Sequence, residues 1–294
     1  MPAAETSLLR LATRGSALAR QQAALAAAAL HASGAIEIET LVVRTEGDRR
    51  AQTPIDQLEG QGWFTAELER SLLDGRADVA VHSGKDLPSE LAEGLSVAAY
   101  LSRADPRDGV VSVGDRSLAE LPAGATVGTS SPRRAGLLAA LHPRLRPVAI
   151  RGNVDTRLRK LESLEVDALL LACAGLDRLG LGNRCCERLD PTQFVPSPAQ
   201  GAIALETVTG SSAARRCAAV GDPETTAAVV AERAVLAGLG GGCLLPLGAW
   251  ARIEGGRLAM VAALVVDGTV RRAEASGSVE QPAELGELLA ARLR

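Results

Sequence analysis

Short apolar runs alternate with helix-like segments through the first two thirds of this chain, and no other feature restricts its fold as strongly. "IEIETLVVR" (36–44) alternates apolar and polar residues as a strand does, and "ADVAVHS" (77–83) is a short apolar strand. "VDALLLA" (166–172) is apolar apart from Asp167, as strands buried on both faces of a parallel sheet are. Between the first two lie "SALARQQAALAAAALHAS", with Ser16 as N-cap of an alanine-rich helix, and "TAELERSLLDG" (65–75), a helix ending at Gly75. After a charged connector near 102–110, "SRADPRDGV", strand–loop–helix order recurs in "ATVGTSSPRRAGLLAAL" (125–141) and "RPVAIRGNVDTRLRKLES" (146–163). This order predicts βαβ units and an α/β fold with parallel sheets. A third region opens at "GDPETTAAVVAERAVLAGL", where Asp222 caps a helix that has Pro223 in its first turn. "RLAMVAALVV" and "TVRRAEASGSV" then read as antiparallel strands, and a last helix follows.

A length of 294 residues allows two or three domains, each with its own core. A net charge of −3 and an aromatic content of 2% argue against a nucleic-acid partner, which needs a basic surface or stacking platforms. There is no apolar run of 18 residues, and the N-terminus lacks a charged segment followed by an apolar core, so neither a membrane span nor a secretory signal is expected. The five cysteines (173, 185, 186, 217 and 243) are odd in number and show no CxxC spacing, which supports neither a disulfide framework nor a zinc site. No metal is predicted, and a reducing cytoplasm fits best. Cys173, inside an apolar run, reads as a small buried hydrophobe. Only Lys85 and Lys160 are lysines among 32 basic residues. Coding bias accounts for most of the arginines and makes the retained Lys85 stand out.

Ligands of open α/β sheets bind at the carboxyl ends of strands. Four such ends carry polar groups here: Arg14 and Ser16 in "LATRGS", His82 to Asp86 in "AVHSGKDLP", Thr129 to Arg134 in "VGTSSPRR", and Arg151 in "AIRGN". A helix N-terminus favours anions, and the guanidinium fork matches a carboxylate or phosphate. Arg133 and Arg134 follow Ser130, Ser131 and Pro132 at a helix opening, and Arg157 lies about one and a half turns into the next helix. Each arginine alone is more simply a surface residue at a helix start. The set predicts a site for a ligand with several negative groups. In "HSGKDLP", Asp86 among basic neighbours is ionised and suited to holding an ammonium or a developing cation. Its bland alternative is a turn residue bonded to its own loop. In "AGLGGGCLLPLG" (237–248), the lone thiol of Cys243 sits on a bare, glycine-rich loop, with no His or Lys nearby in sequence to activate it. A small residue filling a tight turn is the alternative there.

The blocks "LATRGSALA", "AVHSGKDLP", "VGTSSPRR", "IRGNVDTRL", "LACAGLDRLGL", "PAQGAIALE" and "AERAVLAGLGGGCLLPLG" occur together and in order. Over roughly residues 8 to 275 the chain resembles the hydroxymethylbilane synthase, or porphobilinogen deaminase, family. The resemblance implies two doubly wound domains like those of periplasmic binding proteins and a small α+β domain with a three-stranded antiparallel sheet. The divisions are 1–102 with 200–218, 106–196, and 222–294, with two crossing strands as a hinge and a cleft between the first two domains. It implies head-to-tail condensation of four porphobilinogens with release of ammonia, followed by hydrolysis of the linear tetrapyrrole. It also implies a dipyrromethane cofactor held by a thioether at Cys243, and a monomer. By family position, Asp86 is the catalytic carboxylate, assisting loss of the amine and stabilising the azafulvenium cation that results. Arg14, Arg133, Arg134, Arg151, Arg157 and Arg178 hold cofactor and substrate carboxylates. Ser16, Ser83, Thr129, Ser130, Ser131 and Gln200 add contacts, and Lys85 pairs with a cofactor carboxylate. Departures from the family pattern are Gln57 and Gln61, where many relatives carry lysine, Gly84, where a larger apolar residue is usual, and Leu245, where a β-branched residue is common. They leave open a paralogue of altered turnover or product length. A non-catalytic tetrapyrrole- or anion-binding protein on the same scaffold is a further alternative, disfavoured by the presence of both Cys243 and Asp86.

Overall fold

The computed structural model describes residues 8–34, 37–49, 64–241 and 245–294. Cys243, Gln57 and Gln61 lie outside the described residues. The chain begins with β1 (Leu8–Arg14), α1 (Ala17–Gly34), β2 (Glu37–Val43), α2 (Glu46–Arg49), α3 (Ala66–Leu73), β3 (Val79–Ser83) and β4 (Leu95–Tyr100). It continues through β5 (Asp108–Ser112), β6 (Thr126–Gly128), α4 (Pro132–Leu141), β7 (Arg146–Val148), α5 (Val154–Glu162), β8 (Ala168–Ala172), α6 (Cys173–Arg178) and β9 (Glu187–Arg188). It ends with β10 (Ile203–Val208), α7 (Ser212–Ala218), α8 (Pro223–Gly238), β11 (Leu247–Glu254), β12 (Arg257–Val266), β13 (Thr269–Ser278) and α9 (Pro282–Leu293). Local signals set several starts. Ser16 Oγ accepts from the Ala19 amide at 3.2 Å, Ser131 precedes Pro132 at the head of α4, and Asp222 Oδ1 accepts from the Thr225 amide at 2.7 Å.

The chain forms two compact units, one holding residues 64–103 and 202–226 with the N-terminal segment, the other holding 104–201 and 227–294. In the first, a five-stranded sheet has the order β2-β1-β3-β10-β4. β1 pairs parallel with β2 and β3, whereas β10 runs antiparallel to both β3 and β4. Leu9, Leu11, Val79 and Val81 pack with Ala23, Ala26 and Leu30 of α1. Ala12 and Ala80 pack on the other face with Leu68 and Leu72 of α3.

The second unit repeats this plan with the order β7-β6-β8-β5-β9. β6 is parallel to β7 and β8, and β5 is antiparallel to β8 and β9. The sheets are therefore mixed rather than wholly parallel. In each, the antiparallel strand is the first one made after the chain crosses into that unit. β8 is apolar throughout because both faces are covered: Ala168 and Leu170 meet Leu137 and Leu138 of α4, while Leu169 and Leu171 meet Leu158 and Leu161 of α5. The stretch read as a connector at 102–110 ends inside the sheet, since β5 opens at the fully buried Asp108.

The same unit holds a three-stranded antiparallel sheet, β11-β12-β13. Met260, Ala262 and Leu264 of β12 face α8 and α9. Val261 and Ala263 face the core under α4. A β-carbon at Gly136 of α4 would stand 2.9 Å from Val265, so glycine there lets the helix lie directly on β12. Glu232 of α8 is fully buried and accepts from the Ala199 amide at 2.7 Å and the Ala251 amide at 2.8 Å.

Candidate active site

In the first unit the predicted residues gather at the carboxyl ends of β1 and β3. β1 ends on Arg14, whose guanidinium carbon lies 4.2 Å from the centroid of the Phe64 ring, a cation–π contact. Ser16 is committed to capping α1. β3 ends on Ser83, whose hydroxyl meets the Gln22 amide of α1 through contacts of 2.9 and 3.0 Å. The chain then turns through a 3-10 segment, Gly84–Asp86, anchored by the Gly84 amide on the Ala202 carbonyl at 2.9 Å. Lys85 and Asp86 are half-buried on this turn, and Asp86 makes no hydrogen bond or ion pair with another described residue. Strand alternation sends His82 the other way, where its Nε2 lies 2.9 Å from Glu206 Oε2 inside the unit. Burial, and then the charge of Glu206, hold the nearby Glu69 carboxyl above the usual range.

In the second unit Thr129, Ser130 and Ser131 link β6 to α4. Thr129 Oγ1 accepts from the Ser131 amide at 3.1 Å, and Ser131 Oγ accepts from the Arg134 amide at 3.4 Å. Ser130 Oγ accepts from Arg157 Nη2 at 2.8 Å, while Arg157 Nε donates to the Gly152 carbonyl at 2.8 Å. Arg178, at the end of α6, donates through Nη2 to the Gly201 carbonyl at 2.7 Å. Arg151 has a buried Nη1 with no hydrogen-bond partner. Burial lowers all three guanidinium pKa values. Arg157 is held down to about 10 by burial first and then by the charges of Arg134 and Arg151. Among the described residues none of these three arginines has a carboxylate partner. Arg157 is thus a half-buried cation repelled by its neighbours, and Arg151 carries an orphaned donor.

Arg133 and Arg134 are differently placed. Their side chains are only 4% and 7% exposed and converge on Asp108. Arg133 Nη1 reaches Asp108 Oδ2 at 2.6 Å. Arg134 donates to Oδ1 from Nε at 2.9 Å and from Nη2 at 2.7 Å. Gln200 Nε2 donates to the same Oδ1 at 2.9 Å and to the Pro106 carbonyl at 2.8 Å. Burial alone would raise the Asp108 carboxyl, but the fields of Arg133 and Arg134 and their hydrogen bonds outweigh it and hold the group well below the usual range. The carboxylate that this pair holds is thus one of the protein's own. Sequence reading missed Asp108. Its signal was two adjacent arginines in an otherwise apolar helix, which burial obliges to find a counter-charge.

Two mixed sheets of one plan, with polar loops at their strand ends and half-buried guanidiniums that lack a described carboxylate, define an α/β protein with cationic groups at its strand ends. The chain belongs to the porphobilinogen deaminase family, a family of transferases in porphyrin biosynthesis. Residues 9–216 match the porphobilinogen deaminase dipyrromethane cofactor binding domain, and residues 226–294 match the porphobilinogen deaminase C-terminal domain. Porphobilinogen deaminase of Acidothermus cellulolyticus is 45% identical, covering 99% of this chain and 90% of its own. That of Roseiflexus castenholzii is 43% identical, covering 97% and 95%. Among solved structures, the methionine-binding protein MetQ covers 74% of this chain and 90% of its own, with a TM-score of 0.48 and 12% identity.

The arrangement fits the cofactor named by the family model. A dipyrromethane carries acidic side chains on each ring, and the orphaned Arg151 Nη1 beside Arg157 is a donor of the kind that would hold them. No described helix is long and apolar enough to cross a membrane.

Proposed function

We infer that this chain condenses four porphobilinogens head to tail, releasing ammonia, on a covalently held dipyrromethane, and then releases the linear tetrapyrrole with water. The observation that carries this reading beyond family membership is that Arg151, Arg157 and Arg178 are half-buried and without a described carboxylate partner, with Arg151 Nη1 buried and unbonded. A pyrrole chain with an acetate and a propionate on every ring is a ligand for such a set. Arg14, Lys85, Ser16, Ser83, Thr129, Ser130 and Ser131 add donors at the same kind of strand end. Arg133, Arg134 and Gln200 act on that ligand through the frame they build around Asp108.

Asp86 is the catalytic carboxylate. Lacking a described internal partner, it is available to accept from a pyrrole N–H and to balance positive charge as the aminomethyl C–N bond breaks and the nitrogen leaves as ammonia. The dipyrromethane, joined to Cys243 through a thioether, supplies the primer to which the product chain is attached. We further propose a cytoplasmic monomer of three domains that binds no nucleic acid. The unpaired cysteine count and the net charge of −3 support this.

Intact mass tests the reading. Protein from cells that make porphobilinogen carries two pyrrole units, and Cys243→Ala removes them. An unmodified wild-type chain would refute it. Asp86→Asn retains the adduct and loses about 10²–10³ or more in turnover. Wild-type rates in that variant would exclude Asp86.

A further inference from the structure

Cys173 opens α6, and Cys185 follows the 3-10 turn Gly182–Arg184. Both sulfurs converge over the α-carbon of Gly109 in β5. A β-carbon there would stand 2.5 Å from Cys185 Sγ and 2.9 Å from Cys173 Sγ. Glycine at this central strand position therefore makes room for two sulfurs, and the two short distances bring those sulfurs close to one another. A disulfide needs an S–S separation of about 2.05 Å, which side-chain rotation from such a starting point can reach.

The partners differ in character. Cys173 is fully buried, whereas Cys185 is half-exposed. The Cys185 thiol donates to the Glu187 carbonyl at 3.2 Å; the neighbouring Cys173 is the main reason that Cys185 is pulled down to about 7, and Cys185 together with burial holds Cys173 far above its usual range. Arg188 of β9 adds positive charge beside both, and is itself tied to Asp105 at 2.5 Å and to Asp177 of α6 at 2.6 Å. The pair thus joins a reachable sulfur that favours the thiolate to a protected thiol beside the same glycine. Cys186 takes no part, because it does not meet the Gly109 position and its thiol donates to the Val110 and Arg116 carbonyls at 3.2 and 3.1 Å.

We propose that Cys173 and Cys185 are a peroxide-reactive dithiol that closes to a reversible intramolecular disulfide. The Cys185 thiolate attacks hydrogen peroxide and breaks its O–O bond. This gives a sulfenic acid, and the departing hydroxide takes up a proton to become water. The Cys173 sulfur then attacks the Cys185 sulfur, and the sulfenic hydroxyl leaves as a second water with the Cys173 proton. Two thiols are oxidised by two electrons and one peroxide is reduced to two waters. The bond spans α6, the helix that ends on Arg178.

The test treats the purified, cofactor-bearing protein with hydrogen peroxide, blocks free thiols with N-ethylmaleimide and maps tryptic peptides by mass. The expected product joins peptide 161–178 to peptide 185–188 with one N-ethylmaleimide on Cys186; it is two hydrogens lighter than the sum of the thiol peptide and the singly blocked one, and dithiothreitol separates them. Cys186→Ser keeps the cross-link, while Cys185→Ser and Cys173→Ala abolish it. Before oxidation, Cys185 alkylates with iodoacetamide at pH 7 in the folded protein, while Cys173 alkylates only after unfolding. The proposal is overturned if wild-type Cys185 stops at the sulfinic acid while Cys173 stays alkylatable after unfolding. A Cys185–Cys186 bond, or no reaction at all, overturns it equally.

Discussion

Replacing Asp108 with alanine strands two buried guanidiniums. The carboxylate accepts from Arg133 Nη1, Arg134 Nε, Arg134 Nη2 and Gln200 Nε2, and all of these bonds vanish together. Some donors keep a second acceptor: Arg133 the Val195 carbonyl, Arg134 the Leu170 carbonyl and Gln200 the Pro106 carbonyl. Hydrogen bonding is thus only partly lost, and the dominant effect is uncompensated positive charge in a dry interior. Breaking one buried pair destabilises by about 3–5 kcal/mol, and two cations put this variant at the upper end. For a unit of this size that lowers the melting temperature by about 10–20 °C. Differential scanning calorimetry at pH 7 measures it. The triple variant Asp108→Leu, Arg133→Met, Arg134→Met recovers most of the loss, because it removes the charges along with their partner. A pH series adds a sign. The folded pKa of Asp108 is depressed, so its contribution is fully present above the unfolded value of about 3.9 and fades as the pH falls below that. The gap between wild type and Asp108→Ala therefore narrows in acid. A loss under 1 kcal/mol at pH 7, or a triple variant no better than the single, would falsify the reasoning.

Arg157→Met removes a cation that its surroundings disfavour, so the unliganded protein should melt within about 2 °C of wild type. Affinity for an anionic probe such as inorganic phosphate, read by titration calorimetry, should fall by about 10–100-fold, the loss of one charge-assisted hydrogen bond; unchanged affinity would remove Arg157 from the site. Glu232→Gln turns an N–H donor toward one of the two buried amides that Glu232 now accepts from, and should lower stability by about 1–3 kcal/mol in urea unfolding. A wild-type midpoint would mean that another group takes over as acceptor.

What the sequence disclosed was local. Ser16 before an alanine run, Ser131 before Pro132 and Asp222 before Pro223 each mark a helix start within a few residues, and each helix begins there. The strand "ALLLA" (168–172) announced its burial by having no polar residue to expose. β5 stayed hidden because its first residue is an aspartate, and the arginines that let Asp108 be buried come 25 and 26 residues later. The His82–Glu206 contact spans 124 residues and leaves no local pattern. Within the candidate site, residue type and position at a strand end marked Arg133, Arg134, Arg151 and Arg157 alike. Which of them already hold an internal carboxylate is a three-dimensional fact. It separates the first two, bound to Asp108, from the last two.

The place of β10 has a consequence for synthesis on the ribosome. β4 pairs with β10 alone, and β3 needs β10 along its second edge. Both strands have been made by residue 100, yet β10 is complete only at residue 208. At about 5–20 residues per second, the nascent chain carries an unfinished sheet for roughly 5–20 s while the whole of the intervening sheet emerges. For that interval the exposed strand edges of β3 and β4 are open to pairing with the wrong chain. Translation speed through 101–208, or a chaperone that covers those edges, thereby becomes part of how this enzyme reaches its folded yield.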